Sequence, residues 1–207
     1  MRTTLCSILF LVFASQSTAQ PPAFRDDPET KFGIPLLAGL YPQTSPKAAL
    51  ASTIKAIEKE RYDYIVAQLM DEAFVETRIA GRSRDILSAV DADLRARREK
   101  QRLDPTVVRP ADKLSMEPKA FAESVNTEAR NRAFHLVVKD LKGKLGDDPE
   151  AIRELKRFAR EGTVAESGDT ATISLRDVKD RKMYLKKVDR RWFVENKQAD
   201  DTAKPAK

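Results

Sequence analysis

The spacing of apolar residues along this chain changes once, from a helical to a strand-like period, and the change falls at Gly162. Upstream, Ser45 and Pro46 open the first helical pattern as N-cap and first-turn proline. Leu50, Ile54, Ile57 and Arg61 then follow on one face. A second helix is predicted from Asp63, carrying Ile65, Val66, Leu69 and Met70, with Gly81 interrupting the pattern. Residues 74–79 (Phe-Val-Glu-Thr-Arg-Ile) fit either a short strand or the frayed end of that helix. Helical spacing resumes over 84–102 through Ile86, Leu87, Val90 and Leu94, and Pro105 and Pro110 mark a loop. A further helix is predicted from Pro118 through Phe121, Val125, Phe134, Val137, Val138 and Leu141, stopping at Gly143 or Gly146. Asp148-Pro149 caps the next, with Ile152, Leu155 and Phe158 as its stripe and Gly162 as its C′ residue.

Beyond Gly162, Ala171, Ile173 and Leu175 alternate with Thr170, Thr172 and Ser174, the pattern of a half-buried strand. Ser167-Gly168-Asp169 supplies the turn before it. Residues 163–166, 183–188 and 191–195 complete a meander, the last two joined at Asp189-Arg190. Because alternate side chains on a strand share a face, Met183 and Leu185 should point inward and Lys182, Tyr184 and Lys186 outward. Ile173 and Trp192 should meet in the core. The expected fold class is α+β: N-terminal helices packed on a C-terminal four-stranded antiparallel meander, with a mostly helical middle.

The first residues are of a different kind. Arg2 is the only charge before Arg25, Leu5 to Ala14 is apolar, and Ser17-Thr18-Ala19 offers small residues before Gln20. A bilayer span needs about 20 residues, so residues 1–19 are expected to be a cleaved signal peptide and the protein to be secreted or periplasmic. Residues 20–44 hold Pro21, Pro22, Pro28, Pro35 and Pro42 and are expected to form an extended arm. Its Phe32, Ile34, Leu36, Leu37, Leu40 and Tyr41 should pack onto a single domain spanning 45–196. The tail from Lys197 should be disordered.

Removing the signal would take Cys6 with it, leaving a basic, cysteine-free chain with no disulfide and no thiolate metal site. No later stretch is long and apolar enough for a transmembrane helix, and an exported protein is not expected to meet nucleic acid. No Gly-rich phosphate loop or nucleophile elbow occurs, and no cofactor or metal is expected. The net charge of +6 drops by one without Arg2, and residues 176–191 carry eight basic against three acidic side chains. Lysines on a strand keep edges from pairing. The same residues also make an anionic envelope polymer or surface the one partner that charge argues for. The candidate binding residues are Lys182, Tyr184, Lys186, Arg190 and Arg191. A second basic run covers Arg95, Arg97, Arg98, Lys100 and Arg102.

Two segments resemble the nuclear transport factor-like superfamily of cone-shaped α+β domains, chiefly its uncharacterised exported bacterial members. One runs from Ser45-Pro46-Lys47-Ala48-Ala49-Leu50 to Tyr62-Asp63-Tyr64, similar to the opening helix and its aromatic-Asp break. The other is Gly168-Asp169-Thr170-Ala171-Thr172-Ile173 with Lys187-Val188-Asp189-Arg190-Arg191-Trp192-Phe193-Val194, similar to the closing hairpin. There Asp-Gly usually precedes a core Trp, and Arg190 stands in place of that Gly. The resemblance implies a helix–sheet cavity in which a carboxylate, Asp63 or Asp71, works with histidine or tyrosine as in dehydratases and isomerases. Read from the residues, Asp63 is an N-cap for the second helix, and His135, the one histidine, sits on a helix flank. The expected function is a non-enzymatic exported binding or interaction module. A small cone-fold enzyme and an envelope-associated structural protein are the alternatives.

Overall fold

A computed structural model describes residues 30–104, 106, 114–115, 117–146 and 148–195. The signal segment 1–19 and the tail from 197 lie outside the described residues. In chain order the elements begin with a small hairpin, β1 (Thr30–Lys31) and β2 (Ile34–Pro35). Helices α1 (Pro46–Glu58) and α2 (Tyr62–Tyr64) follow, then a π-helical turn at Ile65–Leu69. The long helices α3 (Glu72–Leu103) and α4 (Pro118–Gly146) lead to α5 (Pro149–Glu161). Strands β3 (Thr163–Ser167), β4 (Thr170–Leu175), β5 (Val178–Val188) and β6 (Arg191–Glu195) close the chain.

The four last strands form one antiparallel sheet in chain order, so the fold is α+β as its periodicity predicts. Tight turns set its register. Gly168 at φ 59 opens the two-residue β3–β4 turn, the position where a type II′ hairpin demands glycine. At the β5–β6 turn Asp189 (φ 46) and Arg190 (φ 67) are both left-handed, so a type I′ turn forms although no glycine is present. β5 begins at Val178, five residues before the expected start, because its first residues pair with the end of β4 across a bulge.

One face of the sheet is closed by α1 and α5. Ala171, Ile173, Leu175, Leu185 and Trp192 are buried against Ala49, Leu50, Ile54 and Phe158, with Met183 and Val194 at the margin. Both covering helices start as predicted: Ser45 accepts from the Ala48 amide at 3.2 Å and Asp148 from the Ala151 amide at 2.9 Å. Gly162 departs from expectation. Its φ of −62 and ψ of 136 are ordinary, so it is no left-handed C′ residue. An added Cβ would instead run into the Phe158 carbonyl and Ile173 Cγ2. Glycine is there so that α5 can lie close on β4.

The edge of β6 is also closed. Trp192 donates its amide to the Gln43 carbonyl at 2.9 Å, and Gln43 Nε2 donates to the carbonyls of Trp192 (2.9 Å) and Gln68 (3.0 Å). Asp71 N donates to Val194 O at 2.9 Å. The arm from Thr30 therefore packs on the body as its apolar residues predict, but folded as the β1–β2 hairpin and a turn at Leu37–Tyr41 rather than extended. Its residues 20–29 lie outside the described residues. Tyr41 is buried 4.4 Å from the Tyr64 ring, and Phe32 stacks on Phe134 at 4.5 Å. Phe32 (φ 51) and Gly33 (φ 75) make the β1–β2 turn, left-handed strain of about 1–2 kcal/mol at Phe32 that the ring stacking offsets. Leu40 is the exception and stays 46% exposed.

Gly81 does not interrupt the helix. Residues 74–79 and 84–102 belong to one helix, α3, of 32 residues. An interior glycine costs about 1 kcal/mol, but Val75, Ile79, Ile86, Val90 and Leu94 keep helical spacing across it and pack on α4. Among the described residues the distal cluster, Val90, Leu94, Phe121, Val125 and Ala129, draws only on these two helices and Leu114. Arg82–Asp140 (2.8 Å), Arg130–Glu76 (2.6 Å) and Arg132–Asp93 (2.6 Å) cross between them. The sheet is thus covered by two helices, while α3 and α4 form a hairpin of their own, about 45 Å long at 1.5 Å per residue.

Candidate functional site

Alternation along β5 sorts the basic run into two groups. Arg181 turns toward the helices and pairs with Glu154 of α5 at 2.5 Å, and Lys187 lies 5.8 Å above the Trp192 ring. Lys182, Tyr184 and Lys186 face the opposite way, onto the side of the sheet that α1 and α5 leave open. Lys182 is exposed, and Tyr184 and Lys186 are half-buried. The sequence grouping of these three holds.

Register then brings other strands' residues beside them. Ser174 lies opposite Lys182, Thr172 opposite Tyr184 and Thr170 opposite Lys186. Thr163, Ala165 and Ser167 of β3 continue the same three rows. On the other side Glu195 lies opposite Tyr184 and Phe193 opposite Lys186. Here the open surface ends: Phe193 is buried, the Arg191 guanidinium lies 5.2 Å over its ring, and Asp71 Oδ1 is 3.8 Å from Lys186 Nζ. Arg190 is exposed at the β5–β6 turn. The hydroxyl rows of β4 read in sequence only as the polar half of a strand. Their partnership with β5 follows from register, which no local pattern reveals.

The remaining candidates do not join this surface. Asp63 lies inside α2 rather than at its N-cap, which is Arg61. The Arg61 guanidinium donates to both carboxylate oxygens of Asp63, at 3.0 and 3.3 Å. Partial burial pushes the Asp63 carboxyl up, but the hydrogen bonds from Arg61 and the Tyr64 amide, with the guanidinium charge, hold it below its usual range. Asp71 does the capping, accepting from the Phe74 amide at 3.0 Å at the start of α3. His135 is exposed on α4, its ring 5.4 Å from that of Phe134. No hydrogen bond or ion pair joins Asp63 to His135 among the described residues.

Tyr64 packs among Tyr41, Ala56, Ile57, Tyr62, Ile65 and Leu69, with the Arg61 guanidinium 6.0 Å over its ring. Its hydroxyl accepts from the Leu37 amide at 3.0 Å, and burial raises its pKa. Gln43, Ser52, Thr53, Gln68 and Gln101 are the buried polar residues among those described, and none is a carboxylate. Likewise, among the described residues no three His, Cys, Asp or Glu side chains converge as a metal site, and no helix is long and apolar enough to cross a membrane.

An open groove of about 460 Å³ lies between α3 and α4 over Leu87, Phe121 and Val125. The basic run beside it is largely matched within its own helix. Arg95 pairs with Asp91 (2.8 Å), Arg97 with Asp93 (3.2 Å) and Arg102 with Glu99 (2.8 Å), while Arg98 lies 4.7 Å over the Phe121 ring. No protein-family model, curated protein or solved structure matches the chain.

Proposed function

We propose that this chain is an exported, non-enzymatic binding module whose open sheet face holds an anionic partner of the cell envelope. The observation that carries this reading is the gathering of Lys182, Lys186, Arg190 and Arg191 on and beside one open face around Tyr184. Among the described residues neither Lys182 nor Arg190 has an acidic partner within ion-pair distance, and the Lys186–Asp71 contact of 3.8 Å is a loose one. Exposed basic side chains such as Lys182 and Arg190 attract anions at little desolvation cost. The export half of the proposal rests on the basic, apolar and small-residue succession in residues 1–19. Kinship with the nuclear transport factor-like superfamily belongs to the same proposal, supported by residues 45–64 and the closing hairpin.

Two measurements test it. The chain should be retained on an acidic polysaccharide column and released by moderate salt, because exposed charges are screened over about 8–10 Å near physiological ionic strength. Changing Lys182, Lys186 and Arg190 together to Glu should abolish retention while circular dichroism stays unchanged. If the variant elutes with the wild type, the surface is not the binding site. Intact mass of protein recovered outside the cytoplasm should correspond to a chain beginning at Gln20, and a chain beginning at Met1 would refute export by cleavage.

A further inference from the structure

Resting on that reading, we infer that the partner is a polymer of acidic sugars, lying along β5 with one sugar ring stacked on Tyr184. Charge alone does not distinguish a polyuronate from a polyphosphate or an anionic lipid surface. The pattern around the charges does. Along β5 the order is Lys182, Tyr184, Lys186, one aromatic side chain between two cations on the same face. At an antiparallel rise of about 3.4 Å per residue, each lysine is rooted about 7 Å from the tyrosine. A pyranose has an apolar face of C–H bonds that matches the negative face of an aromatic ring. A ring seated on Tyr184 would have its own and its neighbours' carboxylates within reach of the flanking ammonium groups.

The hydroxyl rows supply what the sugar's own hydroxyls need. Ser174, Thr172 and Thr170 stand directly opposite Lys182, Tyr184 and Lys186, with Cβ separations of about 4.5–5.5 Å expected for such pairs. Thr170 Oγ1 donates to Ser167 O at 2.9 Å and keeps its lone pairs as acceptors. Among the described residues Thr172 and Ser174 make no side-chain hydrogen bond, so both can donate and accept. A polyphosphate has neither an apolar ring face for Tyr184 nor hydroxyls to pair with this row, and a phosphatidylglycerol headgroup has hydroxyls but no ring face. Glu195 and Asp71 stand at the β6 side, so an anionic chain is steered onto β3–β5 and away from the closed edge.

The test compares anionic probes on the purified chain: a fluorescent oligouronate, a polyphosphate of matched charge number, and phosphatidylglycerol vesicles with affinity taken per accessible lipid. Tyr184→Leu keeps an apolar side chain but removes the ring, Tyr184→Phe restores the ring, and Lys182→Gln with Lys186→Gln removes the charge. Trp192 emission and thermal melting report whether each variant is folded. The oligouronate should bind, weaken about five- to tenfold in Tyr184→Leu and recover in Tyr184→Phe. Polyphosphate binding should be indifferent to either change, and the double Gln variant should lose both probes. If Tyr184→Leu weakens neither probe, or both alike, or if vesicles or polyphosphate bind more tightly than the oligouronate, the sugar inference falls while an anionic surface stands. If no probe binds the wild type, both fall.

Discussion

Replacing Gly162 with alanine adds one methyl group at the point where α5 hands over to β3. The Gly162 amide donates to the Phe158 carbonyl at 3.1 Å, and the residue is buried with Phe158 and Ile173 on either side. A Cβ built there overlaps that carbonyl and Ile173 Cγ2 far inside contact distance. Neither can yield cheaply, since one is helix backbone and the other is a fully buried side chain at the centre of the sheet core. Overpacking of this kind costs about 1–3 kcal/mol. At a φ of −62 alanine would otherwise stabilise by about 0.4–1 kcal/mol through the unfolded chain. The carbonyl clash favours the upper end, so a net loss of about 2 kcal/mol is expected. In a urea titration followed by Trp192 fluorescence, with a slope of about 2 kcal/mol/M, the midpoint should fall by about 1 M. Gly162→Asn should be no better tolerated than Gly162→Ala, whereas a left-handed cap would accept asparagine. An unchanged or raised midpoint in Gly162→Ala refutes the close-approach argument.

Trp192→Ala should cost about 3–5 kcal/mol because the indole fills the junction of β6 with α1 and α5, and near-wild-type stability in a urea titration followed by circular dichroism would contradict that packing. Arg190→Gly should stabilise by about 0.5–1 kcal/mol, left-handed strain of about 1–2 kcal/mol being relieved against a looser unfolded chain; a lower melting temperature would be the wrong sign. The Asp63–Arg61 pair holds the Asp63 carboxyl below its usual range. Its stabilisation is therefore present above the unfolded carboxyl value of about 3.9 and lost as pH falls through the folded one. Arg61→Gln should move the Asp63 carboxyl upward in an NMR titration, and a carboxyl that stays put would show that Arg61 is not what holds it down.

Features that depend on neighbours a few residues apart are readable from the chain alone. The caps at Ser45 and Asp148 are local hydrogen bonds, and the alternation of β4 and of Lys182 to Lys186 is local geometry, so each was legible without the fold. The burial of Ile173 and Trp192 follows from the same alternation. Local pattern fails wherever a distant contact outweighs a local preference. Gly81 ought to end a helix, but packing along α4 exceeds its cost of about 1 kcal/mol. The charged start of β5 did not read as strand because one of its cations, Arg181, is matched by Glu154, 27 residues away. Asp63 looked like a cap, yet the chain enters α2 at Arg61 and the carboxylate turns back onto that side chain. For the candidate site, the sequence put the lysines and Tyr184 on one face of one strand. The hydroxyls of β4 came beside them, and Asp71 and Phe193 closed the face at β6, through register and the packing of α3. Those pairings join residues that no short-range period connects.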